Sequence, residues 1–237
     1  MRRVVPLLAL GWAAACAPVV AHGPRVEGGT SIMVTGGGGL SACDSLTCEL
    51  ELLPQAALGV RTGRAAGETR PGLAVGANLS INLLSSELDL YAQAPTSFMP
   101  ADAGAGVLLS AMHVMPYVQI GRMRDDGSGF YTTQGFAWMT RRPTDYSLFG
   151  ERRAGAPDEM RPSYWSPAVA YRTRGRRAMH LYVAGAFGRA AEYRWPQESE
   201  GDMVRGGTQP VRMVMAGVVF QGLPADLLPR IPAFPYP

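Results

Sequence analysis

The sequence predicts an all-β protein, an antiparallel up-and-down β-barrel of about eight strands, with a two-sheet β-sandwich as the alternative. Three observations carry that prediction. Along residues 73–84, Leu73, Val75, Ala77, Leu79, Ile81 and Leu83 share one parity, against Ala74, Gly76, Asn78, Ser80 and Asn82. A period of two with one oily face marks a half-buried strand and not a helix. The 29 Gly and 19 Pro are spread along the chain, which implies many turns and few long helices. The connections between strand-like segments alternate long and short, as they do when an up-and-down barrel keeps its tight turns on one rim.

Taken in order, residues 1–15 read as a leader. Arg2 and Arg3 precede an apolar run, Val4 to Ala15, that is too short to span a bilayer as a helix. Two cut sites remain open: one before Cys16, and one after Ala21 that would discard Cys16. Residues 16–48 read as a linker with a local disulfide. Cys43 and Cys48 flank only four residues, and in an exported chain such a pair favours a disulfide. A zinc site would need further Cys or His pairs. A short strand candidate, residues 30–35, is followed by Gly36 to Gly39, which lacks the spacing of a phosphate loop and reads as a turn or linker.

The barrel is predicted over residues 49–222, with strands at 49–62, 73–84, 87–94, 107–122, 130–140, 164–174, 178–190 and 211–221. In the fourth of these, Leu108, Val114, Val118 and Ile120 are assigned to one face and His113, Tyr117 and Gln119 to the other. Eight strands joined this way begin and end on the short-turn side. Residues 223–237 are left as a Pro-rich tail.

The oily parities carry no charge across the middle of the clearest strands, and the opposite faces are rich in Gly, Ala, Ser and Asn. A soluble barrel reverses that pattern, whereas a lipid-facing one requires it, because Arg or Lys near the midplane costs about 2–4 kcal/mol. Small residues also suit a narrow lumen. Pro54, Pro116 and Pro167 count against closure, since Pro donates nothing to a ladder. Phe220, which lies short of the C-terminus, counts against the membrane reading, since such barrels usually end in an aromatic residue.

On these patterns the chain resembles small bacterial outer-membrane β-barrels. The small residues before Cys16 resemble a lipoprotein lipobox, although Ala13 stands where Leu is usual. The resemblance implies lipidation at Cys16 and an outer-membrane address, and it transfers no functional residues. Composition excludes several other classes. A formal charge of +3 without aromatic–basic motifs argues against nucleic acid. All 22 basic residues are Arg, so a P-loop lysine, a Schiff-base lysine and a Ser–Lys dyad are ruled out.

His22, His113 and His180 lack metal-ligand spacing, and no cofactor is implied. Ser110 and His113 are expected on opposite faces, which would spoil a nucleophile–base pair, so no catalytic residue is assigned. Glu51, Arg61, Glu87, Asp89, His113, Arg172 and His180 share the inner parity and are expected to form a polar network across the lumen, as buried charges need partners. The mixed-charge segment 141–161 is a surface loop and a candidate contact for lipopolysaccharide or another envelope protein. The leading expectation is a non-catalytic barrel displaying its loops. The runner-up is a periplasmic, lipid-anchored β-protein that binds an apolar ligand or an envelope protein.

Overall fold

A computed structural model describes residues 20, 22–41, 51–80, 85–111, 113–139, 142–143, 159–175, 178–194 and 204–223. It contains the strands β1 Gly29–Ser41, β2 Glu51–Arg64, β3 Gly72–Ser80, β4 Ser85–Gln93, β5 Asp102–Ser110, β6 His113–Met123, β7 Gly129–Met139, β8 Arg142–Pro143, β9 Glu159–Arg172, β10 Ala178–Arg194 and β11 Val204–Leu223. Neighbours in the ring pair antiparallel, and β11 returns to pair with β1. The two-residue β8 is a short rung on β9 alone, so ten strands close the ring. Closure excludes the sandwich.

The ring differs from the eight-strand expectation in two places. The predicted strand 107–122 is two strands, β5 and β6, joined through residues 111–112. Parity flips across that hairpin, so Leu108 faces the lumen and is 1% exposed, and not outward beside Val118. The second difference is β1, which lies inside the span predicted as linker. Its glycine run continues the strand, with Gly36 opposite Ala56 and Gly38 opposite Pro54.

Ten strands again bring both ends of the array to one rim, here called proximal. Residues 65–71, 94–101, 124–128 and 173–177 join strands there. At the opposite, distal rim β1 leads to β2, β3 to β4, β5 to β6, β7 to β9 and β10 to β11. The expected strict alternation of long and short connections therefore does not hold; it arose from reading the 111–112 hairpin as mid-strand. At the proximal rim, the Ser128 hydroxyl and backbone N–H donate to Asp126 Oδ1 at 2.7 and 2.9 Å, holding that carboxyl below its ordinary range.

Pro116 and Pro167 sit where a ladder is interrupted, whereas Pro54 stays in register opposite Gly38. The β6–β7 pairing skips from Val114–Trp138 to Tyr117–Gly135, passing over Pro116. The β9–β10 pairing skips from Ala168–Ala184 to Trp165–Phe187, passing over Pro167. A missing N–H is tolerated because the opposite side of each strand stays paired.

The outward faces are apolar. Leu79 is 52% exposed, Val183 55% and Val169 60%, with Leu58, Val75, Leu90, Val118, Ile120 and Leu181 in the same orientation. Aromatic residues border this band. Phe130 meets Tyr171 on the proximal side at 4.7 Å between ring centroids. On the distal side Phe136 meets Trp138 and Trp165 meets Phe187. From Phe130 to Trp138 the strand rises roughly 26 Å at about 3.3 Å per residue, before tilt. Among the described residues the exposed arginines lie at the margins and on the loops beyond them, Arg64, Arg70, Arg122, Arg124 and Arg174 proximally and Arg161, Arg189, Arg205 and Arg212 distally.

Three outward side chains within the band satisfy one another. Trp165 Nε1–H donates to Gln134 Oε1 at 2.9 Å, Gln134 Nε2 donates to Thr132 Oγ1 at 3.0 Å, and Thr132 donates to the Ala168 carbonyl at 2.8 Å. Self-contained pairing of this kind is what a water-poor surrounding demands. The leader, Cys16, Cys43, Cys48, Ile81 and the tail from residue 224 lie outside the described residues.

Candidate functional site: a lumen filled by the N-terminal segment

A ten-stranded ring is wider than an eight-stranded one, and its inner wall here is rich in Gly and Ala. Two devices fill the space. Inward tyrosines lie across glycines of adjacent strands. Tyr117 covers Gly106, Tyr91 covers Gly104 and Tyr182 covers Gly217, so that a Cβ at any of these glycines would overlap the ring or its hydroxyl. Tyr91 and Tyr117 stack nearly parallel, with centroids 5.9 Å apart.

The second device is the chain itself. Residues 22–27 turn inward ahead of β1 and occupy the proximal half of the lumen, where His22 is 1% exposed and Val26 3%. The wall grips their backbone at three points. Gln119 Nε2 donates to the His22 carbonyl at 2.7 Å and Tyr91 donates to the Pro24 carbonyl at 2.9 Å. The Val26 N–H donates to Gln93 Oε1 at 2.7 Å. Gln119 and Gln93 are in turn tied to Thr133 and Asp102.

Side chains add three further contacts. His22 Nε2 lies 2.9 Å from both Asp89 Oδ2 and the Tyr117 hydroxyl, and that hydroxyl donates to Asp89 Oδ1 at 2.5 Å. Arg25 forms a two-pronged pair with Asp102, both N–O distances 3.1 Å, and also donates to the Met123 and Arg124 carbonyls. Glu27, at the rim, accepts from Arg172 and from Gln221 Nε2, and Gln221 Oε1 faces His180 Nε2 at 2.9 Å. His180 Nδ1 is 2.9 Å from the Tyr131 hydroxyl.

The inner-parity residues thus fall into three groups. Arg61 and Asp89 lie beside His22, with the Arg61 guanidinium 5.3 Å from the Tyr91 ring centroid and its Nε and one terminal nitrogen without a protein partner. Arg172 and His180 share the Glu27–Gln221 bridge. Glu87 and His113 form the third group deeper in the lumen, at 3.7 Å, too long for a hydrogen bond. Glu51 belongs to β2, but its side chain lies outside the described residues.

Ser110 and His113 are brought together, contrary to the expectation of opposite faces. The serine Oγ is 2.9 Å from His113 Nδ1 and accepts the His113 backbone N–H at 3.0 Å. They flank the β5–β6 hairpin, so strand parity does not separate them. The contact closes that hairpin.

Arg25 and Glu27 are not singled out by the sequence, and His22 is weighed there only as a metal ligand, because all three precede the predicted barrel strands. Gln93, Gln119 and Gln221 were missed because their parity marks an inner face without naming a partner. Among the described residues no group of three His, Cys, Asp or Glu is placed to hold a metal ion.

Strand pairing and the filled interior define the class: a closed, antiparallel, ten-stranded β-barrel occupied by its own N-terminal segment. No protein-family model matches the chain, and no curated protein does. Among solved structures it is similar to the NanC porin, at 11% identity over 79% of this chain and 98% of that one, with a TM-score of 0.30. At that score the likeness adds nothing to what the strand pairing already establishes.

Proposed function

We propose that this chain is a non-catalytic outer-membrane β-barrel, stoppered by residues 22–27, whose distal rim faces outward in a structural or surface-binding role. The observation that supports this most is the inversion of polarity. Leu79, Val169, Leu181 and Val183 look out, while His22, Asp89, Gln119, Arg172 and His180 are buried inside. In water that apolar surface would stay exposed at a free-energy cost, which contact with acyl chains removes.

The rim holding both ends of the array is assigned to the periplasm, and the long connections 144–158 and 195–203 to the outside, in keeping with the usual asymmetry of such barrels. Lipidation at Cys16 belongs to the same proposal. A periplasmic carrier of an apolar ligand would need an apolar interior; this lumen is polar along its proximal half.

Fractionation together with a heat-modifiability gel tests the reading. The protein should stay with the outer membrane, require detergent even as Cys16→Ser, and migrate faster unboiled than boiled. Release of Cys16→Ser by a salt or carbonate wash would overturn it.

A further inference from the structure

We propose that Glu87 and His113 form a binding site for a divalent transition-metal ion at the distal end of the lumen, with His113 Nε2 and a Glu87 carboxylate oxygen as its two protein donors. The site goes beyond the membrane reading and does not depend on it. His113 is 2% exposed, and its Nε2 has no hydrogen-bond partner. Glu87 is also buried and places Oε1 3.7 Å from that nitrogen. The gap is too long for a hydrogen bond, yet it leaves room for one ion with bonds of about 2.0–2.1 Å to each atom.

The ring is held from behind. Ser110 is the register partner of Glu87, and its Oγ meets His113 Nδ1 at 2.9 Å while accepting the His113 backbone N–H at 3.0 Å. The serine oxygen has a lone pair for each of the two N–H groups. With the ring proton on Nδ1, Nε2 turns its own lone pair toward the carboxylate. Two acceptors then face each other in a buried site, and a cation between them supplies what both lack. An outer partner that fixes ring orientation and tautomer is the usual support of a metal-ligating histidine.

The donor set selects the ion. One imidazole nitrogen and one carboxylate oxygen suit Cu²⁺, Ni²⁺ or Zn²⁺, whereas Mg²⁺ and Ca²⁺ take oxygen donors, and Cu²⁺ binds such a pair most tightly in its row. Two protein donors leave the remaining positions to water, unlike a closed structural site. Glu87 lies two residues from the distal end of β4 and His113 is the first residue of β6, so the shortest way in is from the distal side.

The test uses the full chain without an affinity tag, folded in detergent micelles with its thiols blocked, titrated with Cu²⁺ and read by calorimetry and electron paramagnetic resonance. One equivalent should bind, with hyperfine splitting from a single imidazole nitrogen, and Mg²⁺ should not compete. His113→Ala and Glu87→Gln should each weaken binding more than about a hundredfold. Ser110→Ala should weaken it about tenfold, the scale on which loss of an outer partner acts, and Ser110→Thr should retain it.

Absence of binding by the parent overturns the proposal, as does a signal from two or more imidazoles, equal binding of Mg²⁺, or undiminished binding by His113→Ala and Glu87→Gln. The nitrogen count and the Mg²⁺ comparison need no variant, so a misfolded variant, recognised by its unboiled migration, leaves the test intact. A chain that binds Cu²⁺ in micelles but washes from membranes fails the membrane reading alone. A chain that stays in the membrane and ignores Cu²⁺ fails only the present inference.

Discussion

The proximal and distal halves of the lumen are filled by different means. Proximally, the wall supplies polar side chains, and residues 22–27 supply the groups they bind: carbonyls of His22 and Pro24, the N–H of Val26, and the side chains of His22, Arg25 and Glu27. Distally, among the described residues, the wall fills itself. Leu108, Met115, Met213, Met215 and Tyr164 are buried against Ala137, Ala184 and Ala186. Hydrogen bonds fix geometry and orientation, whereas methionine contacts tolerate adjustment. The proximal half should therefore respond to the loss of single partners, and the distal half to the loss of volume.

The largest effect is expected at Asp89. Asp89→Ala strips the acceptor from His22 and Tyr117 in a buried site, and breaking such a pair on one side costs about 3–5 kcal/mol. His22→Ala in the same chain should recover part of the loss, a coupling that a double-mutant cycle measured by urea unfolding in vesicles would read. Additive losses would mean that the segment and the wall do not act as one unit.

The distal half supplies the next test. Met215→Ala removes volume from a residue 1% exposed, and such truncations cost about 2–5 kcal/mol. Combined with removal of residues 22–27, its effect should simply add, because separated sites sharing no partner are independent. Strong coupling would show that the two halves form one packing unit.

Arg172→Met should cost less than either. Arg172 is buried, but its partner Glu27 is 40% exposed at the rim, so water screens much of the attraction. A loss of about 1 kcal/mol is expected, near the upper end for solvent-exposed pairs. A loss as large as that of Asp89→Ala would move the centre of the plug's attachment from His22 to the rim.

Much of the barrel was legible in the sequence. The parity of residues 73–80 states which side of β3 faces out, and Leu79 shows it. What could not be read was the break between β5 and β6. Ser110 and Ala111 carry no turn signature, and the oily residues on either side look continuous. Length gave no signal either, since β10 with 17 residues and β11 with 20 are each a single strand. β1 was misread because glycine supplies no side chain to alternate. Arg61, Asp89 and Arg172 are buried at inner-parity positions, but their partners come from a segment with no periodicity. Its fit depends on a space that exists only after ten strands have closed.

The smallest effect is expected outside the ring, at Gln134, and it bears on whether the inside–outside contrast has the right sign. Gln134 links Trp165 Nε1–H to Thr132, while Thr132 keeps its own bond to the Ala168 carbonyl. Gln134→Leu removes one acceptor and adds apolar surface of similar size. In lipid, the freed indole N–H should cost about 1 kcal/mol and the added leucine should return part of it. In water the same change would expose one more apolar group and gain nothing from it. Thermal unfolding of Gln134→Leu in bilayers and in detergent micelles should therefore differ from the parent by at most about 1 kcal/mol, with a blue-shifted Trp165 emission retained. Aggregation of the variant before unfolding would mean that this face meets water, and the assignment of inside and outside would then have to be exchanged.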